Sequence, residues 1–201
     1  MLQTVWDERF AGEEFVYGEA PNEWLAAQAE RLPTGGRALA LGDGEGRNGV
    51  WLAQRGLDVL AVDASRVGLD KAEGLARRRG VAHLYHTELA WVQEASWPAR
   101  RWDVAVLCYL HLPSALRPLV HGQVATRLAP GGLLVLEAFT PRQQAYKTGG
   151  PSDPDLLFEP EDLRLDFAGL EILHLEERVV ELDEGRLHKG PSAVVRLLAR
   201  A

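Results

Sequence analysis

Cysteine is almost missing from this sequence: Cys108 is the single one. No internal disulfide can form, a zinc site built on thiolates is excluded, and a reducing cytoplasm is the expected setting. Long hydrophobic runs are missing as well. The longest apolar stretches, such as Val104–Leu110 and Leu133–Leu136, fall far short of the roughly 18 residues that a membrane-crossing helix needs. The opening Met1-Leu2-Gln3-Thr4-Val5-Trp6-Asp7-Glu8 carries acid early and lacks the basic-then-apolar block of a secretory signal. Basic residues are in deficit, with 22 Lys+Arg against 29 Asp+Glu and a net charge of −7. Phosphate-backbone binding needs a cationic surface, so nucleic acid is not an expected partner. Internal repeats and low-complexity tracts are lacking too.

What remains is ordinary globular composition, 46% apolar and 25% charged over 201 residues, enough for one domain with one core. Short apolar runs alternate with amphipathic ones. Strands are expected at Arg37–Leu41, Leu57–Val62, Val81–Leu89, Trp102–Tyr109 and Leu133–Phe139. Helices are expected at Asn48–Arg55, at Ser65–Arg79 with Ser65 as N-cap and Gly80 as stop, and at Ser114–Leu128 after Pro113. The strands read as near-continuous apolar runs, which suits a parallel sheet buried on both faces. Two long strand-like segments, Leu170–Leu182 and Arg186–Leu198, follow a short helix at Pro160–Phe167. The Asp183-Glu184-Gly185 turn between them predicts a hairpin. The expected fold is therefore an α/β, open doubly wound, Rossmann-like sheet with helices on both faces, of five parallel strands ending in an antiparallel hairpin.

Gly42-Asp43-Gly44-Glu45-Gly46 joins a predicted strand to a predicted helix. Glycine lets the backbone turn sharply and approach a ligand closely, and the free N–H groups of the following helix favour an anionic group. Asp63 closes the next predicted strand, with Ala64 and Ser65 beside it, and a carboxylate there can accept from both hydroxyls of a ribose. Loop, helix and acid together describe a site for an adenosine-containing cofactor. A dinucleotide site carries a third glycine where this chain has Arg47, and it has a second βαβαβ half where this chain has a hairpin. Both differences point to a smaller ligand such as S-adenosylmethionine.

On these residues the chain resembles class I S-adenosylmethionine-dependent methyltransferases, and within them the group of tellurite-resistance and thiopurine methyltransferases. The matching stretches are Leu41–Asn48, Asp63, Leu128-Ala129-Pro130-Gly131-Gly132, and Trp6-Asp7-Glu8-Arg9-Phe10 with Tyr17-Gly18 and Pro21-Asn22. The resemblance implies a single methyltransferase domain, with residues 1–30 as a lid, 37–140 as the cofactor core, and 141–201 as a substrate-side loop, helix and hairpin. It implies cofactor contacts from Gly42, Asp43, Gly44, Gly46, Arg47, Asn48, Asp63, Ala64 and Ser65. Glu88 and Leu89 would lie near the adenine, and Cys108 and Tyr109 near the methionine part. Trp6 and Tyr17 would wall the cofactor, and Phe10 the acceptor.

His111 is either a proton acceptor for a nucleophile, being the side chain that titrates nearest neutrality, or a cap or gap-filler before the next helix. Arg47 is either a cofactor or lid contact or a plain salt bridge. Arg142, Tyr146 and Lys147, after the fifth strand, are candidates for the acceptor site. Cys108 sits in an apolar run and reads as a small buried hydrophobe. The remaining histidines, His83, His86, His121, His174 and His188, show no metal-ligand spacing. Trp91, Trp97 and Trp102 read as packing residues. The predicted activity is methyl transfer from S-adenosylmethionine to a small nucleophile by a monomer or homodimer, the alternative being a cofactor-binding module without turnover.

Overall fold

A computed structural model describes residues 5–96, 98 and 100–201; Trp97 lies outside the described residues. The chain begins with two short helices, α1 (Val5–Phe10) and α2 (Glu23–Ala27), before β1 (Arg37–Leu41), α3 (Arg47–Gln54), β2 (Asp58–Asp63) and α4 (Arg66–Arg78). Then come β3 (Tyr85–Leu89), β4 (Trp102–Cys108), α5 (Arg117–Arg127), β5 (Leu128–Phe139), α6 (Pro160–Asp166), β6 (Glu171–Asp183) and β7 (Lys189–Arg200). The seven strands form one sheet in the order β3-β2-β1-β4-β5-β7-β6. The first five are parallel, while β7 runs antiparallel to both β5 and β6.

The central strands β1, β2 and β4 are almost wholly buried, because helices cover both faces of the parallel part. On one face Leu39, Leu41, Leu60 and Val62 pack with Trp102, Phe158 and Phe167. On the other, Ala38, Ala40, Val59 and Ala61 pack with Leu52, Leu57, Ala72 and Leu75. Ser65 caps α4 as predicted, its Oγ accepting from the Gly68 amide at 3.0 Å.

Four predicted elements differ in extent by three residues or more, one of them the last strand, which runs Lys189–Arg200 rather than Arg186–Leu198. The third strand begins at Tyr85 rather than Val81, because β2 starts at Asp58 and its pairing with β3 begins at Val59–Tyr85. Residues Ala82–Leu84 make a 3-10 turn instead, which places His83 off the strand. The helix after Pro113 starts at Arg117, since the Ser114 amide donates to the Asp155 carboxylate at 3.2 Å. The fifth strand begins earlier, at Leu128, which pairs with Trp102 before a register shift over the Pro-Gly-Gly stretch.

The order reverses between β1 and β4, and ligands of open α/β sheets bind outside the carboxyl ends of the strands at such a switch point. The loops after β1, β2, β3 and β4 all meet there. Residues 5–23 cross the same edge, and the β6–β7 turn reaches back to them through the Arg186 amide, which donates to the Val16 carbonyl at 2.9 Å.

Candidate active site

A cleft, partly open to solvent, lies at this edge and holds about 920 Å³ of empty space counting its open mouth. Its floor is the loop after β1. Gly42, Gly44 and Gly46 have φ of 64°, 55° and 88°, in the left-handed region that glycine enters without strain. A Cβ on Gly46 would stand 2.6 Å from the Ala72 Cβ, so α4 packs directly on the turn. A Cβ on Gly42 would stand 2.9 Å from Leu110, on the cleft side.

Asp63 lines the cleft from the end of β2, next to Ala64. One carboxylate oxygen accepts from the Gly44 amide and the other from the Ser65 amide, each at 2.8 Å. Burial raises its pKa to about 6, and Asp43 and Asp7 add to the rise while the two amides oppose it. Each oxygen keeps a lone pair, so a hydroxyl donor from the cleft can still be accepted.

Asp43 lines the cleft, but its carboxylate is spent on structure: it accepts from the Tyr85 hydroxyl at 2.7 Å and the Gly49 amide at 2.9 Å. Asn48 accepts from the Asn22 amide at 2.9 Å, which pins the N-terminal segment to α3. Arg47 is buried and paired with Glu184 at 2.8 Å, and it also donates to the Tyr17 carbonyl at 3.4 Å. Both of its sequence readings have a counterpart here: Arg47 borders the cleft and the N-terminal segment, and it forms a salt bridge whose partner is supplied by the β6–β7 turn.

That segment is held by charge at several points. Lys71 donates to the carbonyls of Phe10, Gly12 and Glu14 and pairs with Glu45, whose other oxygen accepts from the Val16 amide at 2.8 Å. Asp7 accepts from the Ser65 hydroxyl at 2.6 Å and the Val67 amide, at the start of α4. Trp6, Phe10, Tyr17 and Gly18 thereby line the cleft, Trp6 stacking on Phe10 and on His111.

The wall after β4 is Cys108-Tyr109-Leu110-His111-Leu112. Tyr109 sits at φ 55°, a conformation that costs a non-glycine residue about 1 kcal/mol or more and that needs outside support. The support is a hydrogen bond from its hydroxyl to Glu137 at 2.7 Å. Glu137 is fully buried and also accepts from Asn22 and Arg196. Burial, then Glu137, pushes the Tyr109 phenol well above its ordinary value, and burial keeps the Cys108 thiol protonated. His111 lies between Trp6 and Phe139, with Nδ1 buried and without a partner, and burial lowers its pKa to about 4.

Several expected residues stand elsewhere. Ser65 does not line the cleft; it is fully buried as the α4 cap. Glu88 accepts from the Ser96 amide and hydroxyl, and neither it nor Leu89 reaches the cleft. Trp91, Val92 and Gln93 line that side instead, so Trp91 is not merely packing, whereas Trp102 is wholly buried. Arg142 is exposed and 3.7 Å from Glu177, and neither it nor Tyr146 nor Lys147 lines the cleft. Their loop is held to β7, because Gln143 accepts from the Ala193 amide and Thr148 donates to the Pro191 carbonyl.

Glu45, Asn22, Glu137, Glu184 and His188 also belong to the site or its supports, although none is among the expected site residues. Glu45 was visible as a charge inside a glycine loop; the others meet the site only through contacts distant in sequence. His188 lines the cleft, packed against Tyr17 and Tyr109 with ring centroids 4.4 Å away in each case.

This sheet order, with a glycine loop after β1 and an acid closing β2, is the arrangement of a Rossmann-like methyltransferase fold. The sequence agrees: residues 38–132 match the family model of a methyltransferase domain. No curated protein matches the chain. Among solved structures, one described by the conversion of a disulfide bond into a thioacetal group during echinomycin biosynthesis is 17% identical with a TM-score of 0.78, over 98% of this chain and 90% of that one. The CcbJ methyltransferase from Streptomyces caelestis is 20% identical with a TM-score of 0.73, over 100% and 99%. TehB from Haemophilus influenzae is 17% identical with a TM-score of 0.71, over 97% of this chain and 65% of that one. Among the described residues no helix is long and apolar enough to cross a membrane.

Proposed function

We propose that this methyltransferase moves a methyl group from S-adenosylmethionine to a small-molecule nucleophile held between the glycine loop and residues 5–18. One observation carries the reading: the Asp63 carboxylate is buried yet borders the cleft, directly beside the turn at Gly44. The residues present fit the cofactor. Asp63 would accept the ribose hydroxyls, the backbone of Gly42–Gly46 would hold the amino-acid end, Trp91–Gln93 the adenine, and Cys108 and Tyr109 the methionine chain. When bound, the cofactor supplies a methyl on a sulfonium that is already an activated leaving group.

The chain's own residues position and exclude. Residues 1–30 form the lid, 37–140 the cofactor core and 141–201 the flank that closes on the lid. Trp6, Phe10 and Tyr17 keep water from the acceptor, and holding the reactants in line can supply several kcal/mol. The shared architecture with TehB supports the tellurite-resistance and thiopurine group as the subgroup of this fold, without fixing the acceptor. A module without turnover would be walled off at Tyr109–His111, yet these residues border open space.

Titration calorimetry with S-adenosylhomocysteine and with NADH tests the reading. Heat with the first and none with the second is expected; the reverse would refute it.

A further inference from the structure

We propose that the methyl acceptor enters as an uncharged hydroxyl or amine and gives its proton to His188, with Glu184 behind the ring as a positioning residue. The inference rests on the methyltransferase reading above.

Asp43, Glu45 and Asp63 line the cleft, Asp43 with its carboxylate bonded to Tyr85 and Gly49 and Glu45 paired with Lys71; among the described lining residues the one guanidinium, Arg47, is bound to Glu184. Lys71, next to Glu45, is occupied by that carboxylate and by three backbone carbonyls. An oxyanion would therefore meet the Asp63 carboxylate with no unspent cation of the chain's own among the described lining residues, leaving the cofactor's sulfonium alone to offset its desolvation. An uncharged acceptor escapes that cost. Its nucleophile still carries a proton, which must go to a group within reach.

His188 is built for that role. It is 4% exposed and borders the cleft from the β6–β7 turn. Tyr17, Tyr109 and Phe139 cage the ring, the last at 5.3 Å and nearly perpendicular. Its Nδ1 is buried 3.8 Å from a Glu184 oxygen, too long for a hydrogen bond but within ion-pair reach once the ring is charged. Nδ1 thus faces the carboxylate, and Nε2 is left as the nitrogen for an incoming proton. His111, which packs on the same Phe139 ring, has no carboxylate partner and is the weaker base.

The groups around His188 set its titration. Burial lowers it and the Arg47 guanidinium does so too, while Glu184 and Glu137 raise it; the net shift is downward. His111, Tyr109 and Tyr17 are its other titratable neighbours. Glu184 stays ionised, since His188, Arg47 and the Glu23 amide outweigh burial and hold it at about 2. At neutral pH the ring is a neutral acceptor backed by a fixed negative charge, as a general base requires. The acceptor's O–H or N–H bond breaks with its electron pair staying on oxygen or nitrogen. That atom bonds the methyl carbon as the carbon–sulfur bond breaks toward sulfur. The proton rests on His188 and then leaves to water.

The test compares wild type, His188→Asn and Glu184→Gln, each checked for folding by circular dichroism. Measurements are S-adenosylhomocysteine affinity, turnover against pH on phenols, aliphatic alcohols and amines beside selenite and tellurite, and imidazole titration by NMR. We expect phenol, alcohol or amine turnover without oxyanion turnover, and a loss of roughly 100-fold or more in kcat for His188→Asn. Its S-adenosylhomocysteine affinity should stay within a factor of about two, because a base acts on turnover rather than on cofactor binding. The imidazole signal absent from His188→Asn should titrate at lower pH in Glu184→Gln. Oxyanion turnover, or full turnover in His188→Asn, overturns the proposal while S-adenosylhomocysteine binding upholds the methyltransferase reading. If no acceptor reacts, a His188 midpoint that fails to move in Glu184→Gln overturns it. Absence of S-adenosylhomocysteine binding in wild type overturns both.

Discussion

The substitution Asp63→Asn should make the ligand-free protein more stable relative to wild type as pH rises. The wild-type carboxyl has a folded pKa of about 6 against the ordinary 3.8, with burial as the main cause. A raised folded value means that the stability Asp63 contributes is full below 3.8 and is lost as pH climbs through about 6. The gap between the two values corresponds to about 3 kcal/mol once both states are ionised. Between pH 5 and 7.5, roughly 1–1.5 kcal/mol of that loss develops. The asparagine side chain cannot ionise, so the variant is spared this loss. It has one carbonyl oxygen, however, and the Gly44 and Ser65 amides both need an acceptor. One amide is orphaned, at about 1–3 kcal/mol independent of pH. Urea unfolding of both proteins at pH 5 and 7.5 should show the deficit of the Asp63→Asn variant shrinking by about 1–1.5 kcal/mol. A deficit that does not change with pH would refute the desolvated carboxylate. On the proposed function, wild-type affinity for S-adenosylhomocysteine should also fall as pH drops through about 6, because a protonated carboxyl accepts less well.

Gly46→Ala forces a left-handed alanine against α4, 2.6 Å from the Ala72 Cβ and 2.9 Å from its Cα, and should cost about 2–4 kcal/mol by chemical denaturation. Lys71→Ala removes the cation that ties Phe10, Gly12 and Glu14 to Glu45. We expect a loss of about 1–3 kcal/mol and faster proteolysis between residues 10 and 18, and unchanged cleavage would contradict the tether. Tyr109→Phe deletes the hydrogen bond to Glu137 and should lower stability by about 1–2 kcal/mol in urea, leaving Glu137 paired with Arg196 and Asn22.

The parallel part of the sheet was legible because burial on both faces leaves an unbroken apolar run, as in Ala38–Leu41 and Val104–Cys108. The glycine loop, Asp63 and the Ser65 cap were legible because each depends on neighbours in sequence. What escaped depends on distant partners. Nothing local announces that Arg47 meets Glu184, or that Asn22 meets Glu137. The adenine-side expectation fell on Glu88, a residue that answers to Ser96, while the cleft is bordered three to five positions later. The Arg142–Lys147 expectation assumed that a loop at the active edge turns inward. Gln143 and Thr148 bind β7 and turn it away.

Because β6 has β7 as its one strand neighbour and β7 wedges between it and β5, neither finds its place until residues 189–200 have left the ribosome. The turn between them anchors residues 16–23 through the Arg186 amide and Glu184. The crevice, whose lining apart from His188 lies between residues 6 and 112, thus waits for the last tenth of the polypeptide to supply its roof bolt. Shortening the carboxyl terminus should forfeit ligand capture along with sheet integrity.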